Sequence, residues 1–187
     1  MLYSNITDYI VVIKNALTYP LCDAILNEFK NSDEWINSEI ASGINKNVRN
    51  CQTIGVSYPS IIEKNKKVRL KIDKYLMASA SKCIKEYNIK FPYCKIEEDS
   101  GYELLRYEEG CFYIEHIDSF KARPRAVSCS FILNDDFEGG EFAFFNKEFK
   151  YKLDKGDALL FPSNFMYPHE VLPVTKGTRY SIITWFI

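Results

Sequence analysis

The sequence predicts a mainly β protein with N-terminal helices, an antiparallel sandwich or jelly-roll core buttressed by two α-helices. Three observations carry that prediction. From Ile96 onward, short aromatic and β-branched runs alternate with turn signals: YELLRY, CFYIEHI, AVSCSFIL, EFAFF, KYKL, ALLF and RYSIITWFI, punctuated by Gly-Gly and Lys-Gly-Asp. Before Ile96, two stretches carry apolar residues at helical spacing instead. The chain has 187 residues, 47% hydrophobic and 15% aromatic, enough for one sizeable core.

Taken in order, Asp8 to Leu17 is rich in Ile and Val and reads as a strand. Tyr19-Pro20 opens a helix through PLCDAILNEFKNS, with Leu21, Ile25, Leu26 and Phe29 on one face. Residues 37–58 are polar and Gly/Asn-rich and read as loop or hairpin. A long helix follows from Ile61 to Tyr87, with Ile62, Val68, Ile72, Leu76 and Cys83 as its inner stripe, closed by Asn88 to Tyr93 with Pro92. This organisation predicts one domain over 1–187. Residues 1–95 supply a strand, the helices and a lid-like segment, and 96–187 supply the β core.

Charge and composition exclude several classes. With 24 basic and 25 acidic residues the formal net charge is -1, so no global field draws the chain to nucleic acid or an anionic membrane. The basic run Lys64 to Lys74 (KNKKVRLKIDK) reads as a solvated helix face. No apolar run approaches the ~18 residues that span a bilayer. The N-terminus lacks a basic start and is interrupted by Asn, Asp and Lys, so it makes a poor signal peptide, and a cytoplasmic location is expected. The sequon Asn5-Ile6-Thr7 then has no consequence. Six cysteines lie scattered without a C-x-x-C pair, which predicts reduced, mostly buried thiols and no structural zinc.

The chemistry concentrates in YIEHIDSF. On a regular strand Ile114, His116 and Asp118 share one face while Glu115 and Ile117 turn away. An imidazole and a carboxylate at that spacing begin a divalent-metal site, and a third ligand is required. His169 is the other of the two histidines in the chain. Two His and one carboxylate on one face of an octahedron leave three positions open, as in non-haem Fe(II) oxygenases. Ten residues beyond His169 stands Arg179, with Ser181 on the same strand face. A guanidinium fork beside a hydroxyl suits a carboxylate. Open metal positions next to such an arginine are what a chelating 2-oxo acid requires.

Together the stretches RYEEGCFYIEHID, RAVSCSFILND, EGGEFAF, KGDALLFPS and HEVLPVTKGTRYSIITWF resemble the Fe(II)- and 2-oxoglutarate-dependent dioxygenases, in particular the prolyl 4-hydroxylase type. The resemblance runs from about Tyr102 to Phe186 and, more faintly, through the N-terminal strand and helix. It implies a double-stranded β-helix, a cupin-like jelly roll, with His116, Asp118 and His169 holding Fe(II) and Arg179 pairing with the distal carboxylate of 2-oxoglutarate. It further implies Ser181 as a helper to Arg179, Tyr107 lining the cosubstrate pocket and Trp185 at its rim. Tyr113 matches as well, with packing as its other reading, and Arg125 corresponds to an arginine facing the peptide substrate. The implied reaction is hydroxylation, with O2 consumed, succinate and CO2 released, and room for ascorbate as a reductant. The implied partner is a proline-containing peptide or protein, with neither nucleic acid nor membrane. Two departures stand out. Arg179 replaces the lysine of many collagen- and plant-type relatives, and Ile132 replaces a tyrosine that touches the cosubstrate in several.

Other features take plainer readings. Gly139-Gly140 and Gly156 are turn formers, since neither precedes a helix. Asp135-Asp136 and Glu108-Glu109 fall at loops and make no glycosidase pair. Trp185 stands where the oxidative nucleic-acid demethylases are expected to carry a second arginine, which argues against that relation. A free amino-acid or other small-molecule hydroxylase, and a catalytically inactive jelly-roll binding module, remain the alternatives.

Overall fold

The computed structural model describes residues 5–57 and 64–187. A 3-10 turn, Ile6–Tyr9, leads into β1 (Val11–Ile13) and α1 (Tyr19–Phe29), then β2 (Ile36–Asn37), β3 (Arg49–Asn50), β4 (Gln52–Gly55) and α2 (Lys66–Lys90). The second half holds β5 (Glu103–Tyr107), β6 (Phe112–His116), β7 (Val127–Ile132), β8 (Glu138–Gly139), β9 (Phe142–Phe144), β10 (Phe149–Tyr151), β11 (Ala158–Pro162), β12 (His169–Val171), β13 (Val174–Lys176) and β14 (Arg179–Phe186). A seven-stranded sheet runs β1-β11-β7-β14-β5-β4-β2, and a five-stranded sheet runs β10-β9-β12-β6-β3. Their pairings are antiparallel throughout.

The first helix starts where the sequence predicts. Thr18 accepts a hydrogen bond from the Leu21 amide at 3.4 Å, and Pro20 occupies a first-turn position that needs no N–H. Cys22, Ile25 and Phe29 form its buried face, while Leu21 and Leu26 are only partly covered. The second helix departs further from expectation. It begins at Lys66, and Ile61 and Ile62 lie outside the described residues. Val68 is exposed, because the neighbouring Arg69 takes the inward position. Arg69 donates to Glu28 at 2.8 Å and to both oxygens of Glu34 at 2.7 Å, tying the two helices together. One residue of the basic run is therefore an interior clamp. The stripe below it, Ile72, Leu76, Ala80, Cys83, Ile84 and Tyr87, packs on the outer face of the large sheet. Leu76→Ala is expected to cost about 2–5 kcal/mol through lost burial and a residual cavity, read as a lower urea midpoint at unchanged m-value.

Central strand β14 divides the molecule. Tyr180, Ile182 and Phe186 face the helices, while Arg179, Ser181, Ile183 and Trp185 face the space between the sheets. A second core fills the deeper part of that space, with Leu105, Ile132, Phe142, Phe144, Leu159, Phe161 and Val171. Within the polar segment predicted as loop or hairpin, residues 37–57 carry short strands. The chain crosses from one sheet to the other at Cys51, so β3 edges the small sheet and β4 joins the large one. The 3-10 turn replaces the first part of the predicted Asp8–Leu17 strand. Strands β12 and β13 give no readable alternation, being three residues each beside Pro168 and Pro173, and the two-residue β8 falls on the Gly139-Gly140 turn signal. All six cysteines are unpaired thiols, four of them buried.

Candidate active site

Three strands converge at the open end of the small sheet. Strand β12 sets His169 opposite His116 of β6 on one side and Phe144 of β9 on the other. Asp118 follows just beyond β6 and presents its carboxylate to both rings. Its Oδ1 lies 3.6 Å from His116 Nε2 and its Oδ2 3.5 Å from His169 Nε2. One ligand atom from each of the three residues falls within 4.8 Å of the others. Each histidine sets Nδ1 against a backbone carbonyl, Ile114 O at 2.8 Å for His116 and Tyr167 O at 3.1 Å for His169. The proton therefore sits on Nδ1, and both Nε2 lone pairs aim at the common point. Ser128 donates to Asp118 Oδ2 at 2.6 Å and fixes the carboxylate plane.

Electrostatics suit a cation at that point. Burial raises the Asp118 carboxyl, but the flanking His169 and His116 and the Ser128 hydroxyl outweigh it and hold the group well below the usual carboxylate range. Burial, reinforced by the His116 ring, holds His169 down at about 4. A charged carboxylate and a neutral imidazole are the forms that ligate a divalent metal.

Arg179 lies deeper in the same cleft, 1% exposed. Its Nη1 donates to Ser181 at 2.8 Å, and its guanidinium sits 5.3 Å from the Tyr107 ring and 5.1 Å from that of Phe142. Its Nη2 is buried without a partner. No carboxylate forms an ion pair with it among the described residues. A buried cation left in this state is costly, and an incoming carboxylate would relieve it. Room for the side chain comes from the Gly139-Gly140 turn. Both glycines have positive φ, and a Cβ on Gly140 would approach Arg179 Cδ to 2.9 Å. The donor set thus fits Fe(II) at the three ligands and a dicarboxylate reaching from there to Arg179.

A cleft of about 370 Å³ connects these groups, and Tyr107, Ser181 and Trp185 are among its lining residues. Ile132 lies outside its lining, buried in the inter-sheet core, and supplies no polar group. Arg125 reaches the cleft mouth, with its guanidinium 3.4 Å from the centre of the Trp185 ring and Nη1 donating to the Asp118 carbonyl at 3.1 Å. Trp185 Nε1 is buried without a partner.

The strand face differs from the simple alternation. Val171 pairs with Tyr113 while His169 pairs with His116, so β6 carries one extra residue, a β-bulge. Tyr113 therefore joins His116 on the inner face, and Ile114 turns outward. Arg49 was missed entirely by sequence reading. It enters the cleft from β3, opposite Tyr113, and its Nε is buried without a partner. Only strand pairing brings it there, and a lone arginine in a polar stretch gives no local signal.

Comparison with known proteins agrees with this geometry. The family model of the 2OG-Fe(II) oxygenase superfamily matches residues 102–187. A PKHD-type hydroxylase of Idiomarina loihiensis is 37% identical over 88 residues, covering 44% of this chain and 39% of its own length. A candidate prolyl 4-hydroxylase of Acanthamoeba polyphaga mimivirus is 27% identical over 98% of this chain and 77% of its own. The chain thus spans only about two-fifths of the PKHD-type relatives' length. Among solved structures, a Trichoplax adhaerens prolyl hydroxylase, in complex with a hypoxia-inducible-factor oxygen-degradation-domain peptide, superposes with a TM-score of 0.79. That match has 22% identity and covers 97% of this chain and 84% of the other, and it carries the jelly-roll fold. Residues 102–187 thus match the 2OG-Fe(II) oxygenase superfamily, and over nearly its whole length the chain is similar to the candidate prolyl 4-hydroxylase of the mimivirus and, in fold, to the Trichoplax prolyl hydroxylase.

Proposed function

We propose that this protein is an Fe(II)- and 2-oxoglutarate-dependent oxygenase that hydroxylates a prolyl residue in a peptide or protein. The observation that carries the reading is the pairing of a convergent His116–Asp118–His169 cluster with an unpaired, buried Arg179 in one cleft. The chemistry supplied by Fe(II) with 2-oxoglutarate and O2 is insertion of oxygen into an unactivated C–H bond, with release of succinate and CO2. The protein's own work is arrangement. His116, Asp118 and His169 would hold the metal, and Ser128 keeps the Asp118 carboxylate from rotating away. Arg179, oriented by Ser181, receives the distal carboxylate, while Tyr107 and Phe142 keep water from the guanidinium. Arg125 and Trp185 form the rim over which the substrate enters.

A peptide substrate is favoured by the cleft walls. Ile36, Asn37, Glu39, Ile40 and Gly43 line one side of the opening, and Ile117, Phe120 and Arg123 line another. Ile36, Ile117 and Phe120 are exposed apolar groups there, suited to residues flanking the reacting proline. The named activities of the prolyl hydroxylase relatives point the same way. An intact carboxylate at Asp118 supports hydroxylation over halogenation, which needs that position vacant. The convergence of all three ligands weighs against an inactive binding module.

The reading is tested by incubating Fe(II)-loaded protein with 2-oxoglutarate and a library of proline-containing peptides. Succinate formation with a peptide mass gain of one oxygen is expected. Succinate without any oxidised peptide would leave the oxygenase chemistry and remove the prolyl assignment. Ser181→Ala frees Arg179 Nη1 and is expected to raise the KM for 2-oxoglutarate roughly tenfold with kcat little changed, which steady-state succinate assays would read.

A further inference from the structure

We infer that Tyr113 and Arg49 are positioning residues that hold the His116 ring in its metal-facing orientation, and that the bulge in β6 brings Tyr113 onto the His116 face. The inference rests on His116 being a metal ligand, as proposed above. On a regular strand, residues three apart face opposite sides of the sheet. Here three steps along β6, from Tyr113 to His116, match two steps along β12, from Val171 to His169, so both aromatic rings land on one face. The rings then stack, with centroids 3.5 Å apart and planes 15° from parallel. The cost is visible next door, where Ile114 is turned out and left 42% exposed.

His116 needs this support more than His169 does. Phe161, Phe144 and Phe142 crowd His169, at ring distances of 4.5, 5.7 and 6.5 Å, and the side chain is 2% exposed. The His116 side chain is 15% exposed and lies nearer the edge of the small sheet, where only the two-residue β3 flanks β6. Its Nδ1 hydrogen bond to the Ile114 carbonyl fixes one end of an axis about which the ring can still swing. The Tyr113 face closes off that swing. Arg49 in turn backs Tyr113. It is the direct cross-strand partner, its guanidinium lies 5.0 Å from the Tyr113 ring, and its Nη1 is anchored on the Glu39 carbonyl at 2.9 Å. The run Glu39 carbonyl, Arg49, Tyr113, His116 is one continuous line of contacts ending at the metal point.

Co(II) titration of metal-free protein, followed by its visible absorption and by calorimetry, tests this without relying on turnover. Tyr113→Phe keeps the stacked ring and is expected to bind Co(II) within about threefold of wild type. Tyr113→Leu loses the stack and is expected to bind about 10- to 100-fold more weakly, the range for outer-shell partners of a ligating histidine. Arg49→Gln is expected to weaken binding by several-fold. Tyr113→Met, which keeps bulk without a ring, is read alongside Tyr113→Leu in case the latter does not fold, with circular dichroism as the check. Wild-type affinity in Tyr113→Leu or Tyr113→Met overturns the inference. So does a Tyr113→Phe protein as weak as Tyr113→Leu, which would assign the effect to the hydroxyl. A wild type that binds no Co(II), or a His116→Ala protein that binds it equally well, would instead overturn the metal reading itself.

Discussion

His116→Ala and Asp118→Asn are each expected to lower succinate formation by about a thousandfold or more, equivalent to at least about 4 kcal/mol of lost transition-state stabilisation. With one of the three candidate ligands removed, the remaining two would hold the metal far less well, so the loss is expected in kcat and metal affinity together. Asp118→Asn is the more informative of the two. It preserves the size of the side chain and its acceptor for Ser128, and removes only the charge. Both proteins should keep the circular dichroism spectrum of wild type. Near-normal turnover in a folded His116→Ala or Asp118→Asn protein would end the oxygenase assignment.

Arg179→Met is expected to raise the KM for 2-oxoglutarate by about 100-fold or more, since truncating one partner of a buried charge pair costs on the order of 2–5 kcal/mol. The buried state of the guanidinium adds a second, opposite expectation. Without cosubstrate, Nη2 has no partner and the charge sits among Tyr107 and Phe142, so methionine should leave the free protein at least as stable as wild type. Burial already pushes the Arg179 pKa down. In wild type, 2-oxoglutarate at a hundredfold excess over its Kd should add about 2.7 kcal/mol of stability, seen as a rise in Tm. In Arg179→Met that rise should vanish. An unchanged KM together with an undiminished thermal shift would show that the carboxylate is held elsewhere.

Arg179 keeps a buried donor without a partner until a carboxylate arrives, and such a local cost persists only where the surrounding core sustains it. Here the support is the inter-sheet packing of Phe142, Phe144, Phe161 and Val171 below the cleft and the helix-backed sheet behind it.

Much of this was legible in the chain itself. Strands β5, β6, β7, β11 and β14 announce themselves by β-branched and aromatic runs between turn signals, because a strand's two faces impose a period that survives in the sequence. With two histidines in 187 residues, H-x-D on a strand and a histidine ten residues before an arginine leave few other sources for a metal site. The residue types at those positions specify the chemistry, whatever holds them. The Ser181 contact with Arg179 was equally readable, since residues two apart on a strand share a face.

What the tertiary structure alone decided depends on pairing between distant segments. The bulge in β6 exists only relative to β12, so strict alternation placed Ile114 inward when Tyr113 takes that place. Arg49 reaches the cleft because β3 pairs with a strand more than sixty residues away, a relation no local period encodes. Arg69 is inside because Glu28 and Glu34 lie across a helix interface to receive it, whereas in sequence it is one more cation in a basic run. By itself the sequence determined which side chains can bind a metal and a carboxylate, because ligand chemistry belongs to the residue. Which neighbours hold those side chains in place was decided by long-range register, because register is a property of two strands and never of one.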